Sequence, residues 1–306
     1  MGRINMAKTL PSVIFFGSGP VAARSLSLLL SDFKIEAVIT KPKTINEMKK
    51  VLPKTPVFAV SDKQELNELL MNEGFKSSIA ILIDFGIIVS QSDIDHFPDG
   101  IVNSHFSLLP EWRGADPITF AILSGQKQTG VSLMLLVEKM DEGPLLAQAA
   151  YRIPDGATTP ELTRALIELS ASTLKSVVPL YLSRKISPVS QDTGNIFGEK
   201  RPTYSRKLTK EDGVINWAKP AVRIEREIRA FIEWPKSHFS VGDKEIIVTQ
   251  VKVTDDTGQP PGYLRVEPRR LYVYCGEGSL EIKKLKPAGK PEMTIEAFLA
   301  GYRHIL

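Results

Sequence analysis

The pattern of apolar and polar positions splits the chain into two regimes, and the first of them alternates strand-like with helix-like stretches. SVIFFGSG at 12–19 is a β-rich apolar run ending in glycines, and VAARSLSLLLSDF after it spaces its apolar residues as a helix does. IEAVIT at 35–40, TPVFAV at 55–60 and SSIAILID at 77–84 read as buried strands, with the amphipathic helix DKQELNELLMNEGF at 62–75 between the last two. GIVNSHF at 100–106 reads as a strand that delivers polar residues at its carboxyl end. TGVSLMLLVEKMDEG at 129–143 is an apolar strand running into a charged turn, and PELTRALIELSASTLKSVVPLYLS at 160–183 is a closing helix. Strands alternating with helices predict an α/β domain, a Rossmann-like parallel sheet covered on both faces.

From 187 to 209 the periodicity gives way to Pro, Gly, Thr, Asn and Lys, the composition of a linker. The second regime follows. The helical stretch AVRIEREIRAFI at 221–232 precedes short β-like runs, SHFSVG, EIIVTQVKV, GYLRV, RLYVYCGEG and SLEIKKLK. So many short strands predict a small OB-like β-barrel. The expected organisation is a catalytic domain over 1–186, a linker over 187–209 and a second domain over 210–306.

Composition narrows the class. A chain of 306 residues with 42% hydrophobic and 24% charged residues is globular material, not fibrous or disordered. Cys275 is the only cysteine, so neither an intramolecular disulfide nor a cysteine zinc cluster forms, and a reducing compartment fits. The first twelve residues hold no apolar run of signal-peptide length, and no stretch approaches 18 uninterrupted apolar residues. A cytoplasmic, monomeric protein with no membrane partner is expected. Residues 206–306 carry 18 Lys and Arg against 14 Asp and Glu, which leaves 21 of 39 and 21 of 35 for the rest, so the whole net charge of +4 lies in the last third. That asymmetry points to a polyanionic partner.

Two motifs compete for the chemistry. GSGPVAA at 17–23 matches the loose glycine pattern of a dinucleotide site, but the second strand ends in Thr40 and Lys41 where an acid would hold the ribose. NSHFSLLPEWRG at 103–114, followed by MDEGP at 140–144, is more specific. Asn103 and His105 stand two apart on a strand and share a face. With Asp141 from a neighbouring strand end they make an acyl-transfer set of amide donor, imidazole and carboxylate. A satisfied core histidine and an ordinary turn acid stay open as alternatives. His96, His238 and His304 have no second ligand at metal spacing, so no metal is expected.

N-x-H-x-S-L-L-P, W-R-G and the later D-x-G resemble the formyltransferases that use 10-formyltetrahydrofolate. The similarity runs on through RAFIEWP and LKPAGKPEM to the branch that acts on methionyl-tRNA. The resemblance implies 10-formyltetrahydrofolate as co-substrate, no metal, and charged initiator methionyl-tRNA as acceptor. It places the catalytic residues at Asn103, His105 and Asp141. It puts the folate loop at Ser107, Leu108, Leu109 and Pro110, and the pterin wall at Asp84, Phe85, Gly86, Ile87 and Ile88. Two departures accompany it: the wall reads IDFGIIVS without the family's usual proline, and the basic loop after the second strand is shortened and lacks arginine. Lys41, Lys43, Lys49 and Lys50 in that loop, with Arg223, Arg226 and Arg229 at three-residue spacing on the later helix, are the candidate tRNA contacts. Amino sugar nucleotides as acceptors, or water in a hydrolase, are the competing readings.

Overall fold

A computed structural model describes residues 10–192, 201–242 and 244–306, side-chain placement at Ile305 apart. In chain order the elements are β1 (Ser12–Gly17), α1 (Gly19–Leu29), β2 (Lys34–Thr40), α2 (Ile45–Val51), β3 (Val57–Ala59), α3 (Lys63–Asn72), β4 (Ala80–Ile83), α4 (Gln91–Asp95) and β5 (Ile101–His105). There follow β6 (Arg113–Gly114), α5 (Pro117–Ser124), β7 (Gln128–Leu135), β8 (Leu145–Arg152), α6 (Thr159–Leu182) and β9 (Tyr204–Ser205). The remainder is α7 (Ala221–Ala230), β10 (His238–Val241), β11 (Lys244–Thr254), β12 (Leu264–Val266), β13 (Leu271–Tyr274), β14 (Ser279–Pro287), β15 (Met293–Thr294) and α8 (Ile295–Tyr302). The chain forms two compact units, residues 1–114, 129–152 and 163–204 in one, and 115–128, 153–162 and 205–306 in the other.

The first unit is built on a seven-stranded sheet in the order β3-β2-β1-β4-β5-β7-β8. Strands β1 to β5 pair in parallel, as their near-continuous apolar runs require when both faces are covered. β7 runs antiparallel to β5, so the Rossmann-like sheet is parallel-dominated with an antiparallel pair at one side. Its apolar run, VSLML, is the same whichever way the strand points, because orientation is decided by the connection and not by the pattern. Under the sheet Phe16 meets Phe85 and Phe97 edge to face, at centroid distances of 5.4 and 5.9 Å. By length and composition α6 could cross a membrane. Leu166, Leu174 and Val178 recur at helical spacing along it and are buried.

In the second unit an antiparallel sheet, β10-β11-β14-β13-β12 with β15 alongside β14, curls into a half-barrel. Register shifts between Val248 and Val251 let β11 bend. Ile224 and Ile228 of α7 fill its hollow against Ile246, Val248, Leu271, Leu280 and Ile282. α5 belongs to this unit as well and packs on α7.

Candidate active site

The site begins with the alternation of β5. Ser104 points away from Asn103 and His105 and meets Ser170 of α6, Oγ to Oγ 2.6 Å. The opposite face, bearing Asn103 and His105, sits at the carboxyl end of the strand, where open α/β sheets place their sites. On either side lie β4, which pairs Leu82 with Asn103, and β7, which pairs Met134 with Asn103 and Ser132 with His105.

Asp141 arrives from the turn between β7 and β8. Its Oδ1 is 3.7 Å from His105 Nδ1, within ion-pair range and beyond a hydrogen bond. Its Oδ2 accepts from the Gly114 N–H at 2.7 Å. His105 Nε2 lies 2.9 Å from the Trp112 carbonyl oxygen. A carbonyl only accepts, so Nε2 carries a hydrogen and Nδ1 is the nitrogen that faces the carboxylate. All three residues are buried, at 7–8% exposure, yet the Asn103 amide has no hydrogen-bond partner among the described residues. Three of the non-glycine residues at left-handed φ, Asp84 at +49°, Trp112 at +56° and Asp141 at +54°, stand on loops read as part of the site. Such conformations persist where the surroundings impose them, and they gather at functional sites.

The loop after β5 is stapled to its neighbours. Ser132 Oγ donates to the Ser107 carbonyl at 2.7 Å and accepts from the Leu109 N–H at 2.9 Å, while Gln148 Nε2 donates to the Leu109 carbonyl at 2.8 Å. Ser107 Oγ donates in turn to the Glu111 carbonyl. Ser107, Leu108, Leu109 and Pro110 are all buried, with Leu109 packed against Met134 and Leu145.

Of the expected pterin wall, Asp84, Gly86 and Ile88 are exposed, Ile87 is half-buried, and Phe85 turns into the core against Phe16. Lys41 reaches Gly86: a Cβ built there would lie 2.6 Å from Lys41 Nζ. The segment expected as a shortened basic loop forms the helix α2, with Glu47 in its first turn and Lys49 and Lys50 in its last, the polarity a helix dipole favours. Lys43, Lys49 and Lys50 are exposed.

The three arginines of α7 do not form one free row. Arg229 pairs with Glu225 through two hydrogen bonds and donates to the Ala157 carbonyl at 2.7 Å. Arg226 lies against the C-terminal end of α5, where its guanidinium would meet a Cβ at Gly125. Arg223 alone of the three is exposed. Their spacing put all three toward one helix face, and the neighbouring carboxylate and carbonyls then captured two of them.

An amide donor without a partner, an imidazole held at one nitrogen and a carboxylate beside the other can stabilise an oxyanion and move a proton, the equipment of acyl transfer on an α/β sheet. Residues 13–178 match the formyl transferase family model and residues 207–303 match the formyl transferase C-terminal domain, so the chain belongs to the formyl transferase family. It is 31% identical over 306 residues to the methionyl-tRNA formyltransferase of Roseiflexus castenholzii, covering 95% of this chain and 96% of that protein. With the methionyl-tRNA formyltransferase of Listeria innocua the identity is 29%, over 94% and 95%. The fold is shared with the N-formyltransferase of Helicobacter canadensis, solved with folinic acid and dTDP-3-aminofucose, at a TM-score of 0.65 and 18% identity over 90% and 98% of the two chains.

Proposed function

We propose that this protein transfers the formyl group of 10-formyltetrahydrofolate to the α-amino group of charged initiator methionyl-tRNA, acting as a monomer in the cytoplasm. The observation that carries the chemistry is the convergence of Asn103, His105 and Asp141 at the carboxyl end of β5. What supports this acceptor over others is the near full-length similarity to methionyl-tRNA formyltransferases, joined to the positive excess of residues 206–306.

An α-amino group titrates near ~7.7–8.0, so a useful fraction is already neutral at physiological pH. The demand on the protein is therefore greatest after attack, when the formyl oxygen gathers negative charge. The Asn103 amide donates to that oxygen, and a single such donor is worth roughly 100- to 1000-fold in rate. His105 Nδ1 and the Asp141 carboxylate beside it carry the proton that the amine loses toward the nitrogen that departs. The Trp112 carbonyl fixes the imidazole ring while this happens. The folate lies against the backbone of the Ser107–Pro110 loop, since the side chains there point inward, and against the exposed Asp84, Gly86 and Ile88. Lys43, Lys49, Lys50 and Arg223 are the exposed cations offered to tRNA phosphates.

The test is an acceptor panel. Supplied with 10-formyltetrahydrofolate, the protein should formylate charged initiator tRNA and leave amino sugar nucleotides and water untouched. Formylation of a sugar nucleotide alone, or release of free formate alone, would replace this reading.

A further inference from the structure

We infer that Gln191 is a positioning residue for formyl transfer, holding the turn that carries Asp141; the inference rests on the reading of Asp141 given above. Asp141 keeps a left-handed φ of +54°, an uncommon conformation for a non-glycine residue and one that persists where its surroundings hold it. Gln191 supplies that constraint. Its Nε2 donates to the Asp141 carbonyl at 2.7 Å and to the Gly143 carbonyl at 2.9 Å, and its Oε1 accepts from Arg113 Nη2 at 2.7 Å. Both amide hydrogens and the amide oxygen are thus engaged, in a side chain that is 5% exposed. Arg113 completes the grip from the other side, its Nη1 3.2 Å from Glu142 Oε1. Asp141, Glu142 and Gly143 are therefore each held by one of this pair.

The grip is delivered by main-chain pairing two residues earlier. Val189 and Leu145 exchange hydrogen bonds at 2.8 and 2.7 Å, which brings the chain after α6 back across the start of β8. Residues 193–200 of the expected linker lie outside the described residues. Gln191 bonds to the carbonyls of the turn and to none of the three catalytic side chains. Its influence passes through the backbone of Asp141, whose carboxylate is then aimed between the Gly114 N–H and His105 Nδ1.

Gln191→Ala and the near-isosteric Gln191→Glu should be assayed for formyl transfer in the wild-type and Asp141→Asn backgrounds. Glutamate keeps the acceptor for Arg113 but turns an oxygen toward two carbonyl oxygens. Both variants should lower kcat about 10- to 100-fold, the cost of misplacing a reacting group by an ångström or less. KM for the folate should stay within about twofold, and in the Asp141→Asn background the same changes should cost less than about threefold, because residues acting as a unit are non-additive. Equal fold-losses in both backgrounds, a raised KM with kcat intact, or a lowered Tm with unchanged kcat per folded molecule would overturn the inference. If the alanine variant does not fold, the glutamate variant decides. A wild-type protein inactive with every acceptor would instead overturn the formyl-transfer reading, and this inference with it.

Discussion

Gly143→Ala tests whether the position of Asp141, and not merely its presence, sets the rate. A Cβ on Gly143 would lie 1.8 Å from the Leu135 carbonyl oxygen, and a contact below 3.0 Å is not tolerated, so at least 1.2 Å of displacement follows. The obstructing atom is backbone at the end of β7, which is paired with β5 on one side and β8 on the other, so the turn gives way before the strand does. Asp141 lies two residues from the clash and shifts with it. Misplacement of a reacting group by about 1 Å costs on the order of 100-fold in rate, while overpacking of this kind costs about 1–3 kcal/mol of stability. The assay pairs single-turnover formyl transfer with thermal unfolding. Gly74→Ala is the control, since nothing lies within 4 Å of a Cβ there. A Gly143→Ala protein that folds and turns over within threefold of wild type would refute the reasoning.

Other expectations follow from single contacts. Asn103→Ala should reduce kcat roughly 100- to 1000-fold with little change in Tm, because the proposed oxyanion donor has no hydrogen-bond partner among the described residues; a large Tm loss with normal kcat would return it to a structural role. Burial pushes the Cys275 thiol up to about 11, so at pH 8 it should resist alkylation in the native protein and react once denaturant exposes it. Hydrogen bonds from Arg206 hold the Asp212 carboxyl below the usual carboxylate range. Its contribution to stability is therefore present above about pH 4 and lost as pH falls further. Asp212→Asn should lower stability at pH 7 by no more than about 1–2 kcal/mol, with the gap closing in acid. A gap independent of pH would contradict this. Neutralising Lys49 and Lys50 should flatten the salt dependence of tRNA binding by about 0.7–0.9 for each lost phosphate contact and leave folate binding alone; an unchanged slope would remove α2 from the RNA contacts.

How much of this was legible in the sequence depends on what kind of group carries it. The strand bearing Asn103 and His105 could be read directly, because residues two apart on a strand share a face whatever the partners. Asp141 was readable as the acid of a turn ending an apolar strand, and its approach to His105 needed only that the strands be neighbours. The Trp112 carbonyl that orients His105 is a backbone group, and every residue type offers one. Gln191 lies in a segment whose composition says linker, and its partners are 48, 50 and 78 residues away, so no local pattern marks it. Phe85 and Ile88 look alike in an apolar run, and only packing against Phe16 decides that one turns inward. For α7 a signal does lie in the sequence: Glu225 stands four residues before Arg229, the spacing at which a helix closes an ion pair. The helix α2 likewise showed its charge polarity in Glu47, Lys49 and Lys50, beneath a basic composition that suggested a loop.

Whether the site on β5 moves a formyl group onto methionyl-tRNA is tested most directly by the product of one turnover. Isotope-labelled 10-formyltetrahydrofolate is mixed with excess protein and charged initiator tRNA, and the amino acid released from the tRNA is identified by mass spectrometry. The wild type should yield labelled N-formylmethionine, and His105→Ala should form it at least about 100-fold more slowly. Unformylated methionine from the wild type, or equal rates from both proteins, would contradict formyl transfer at this site.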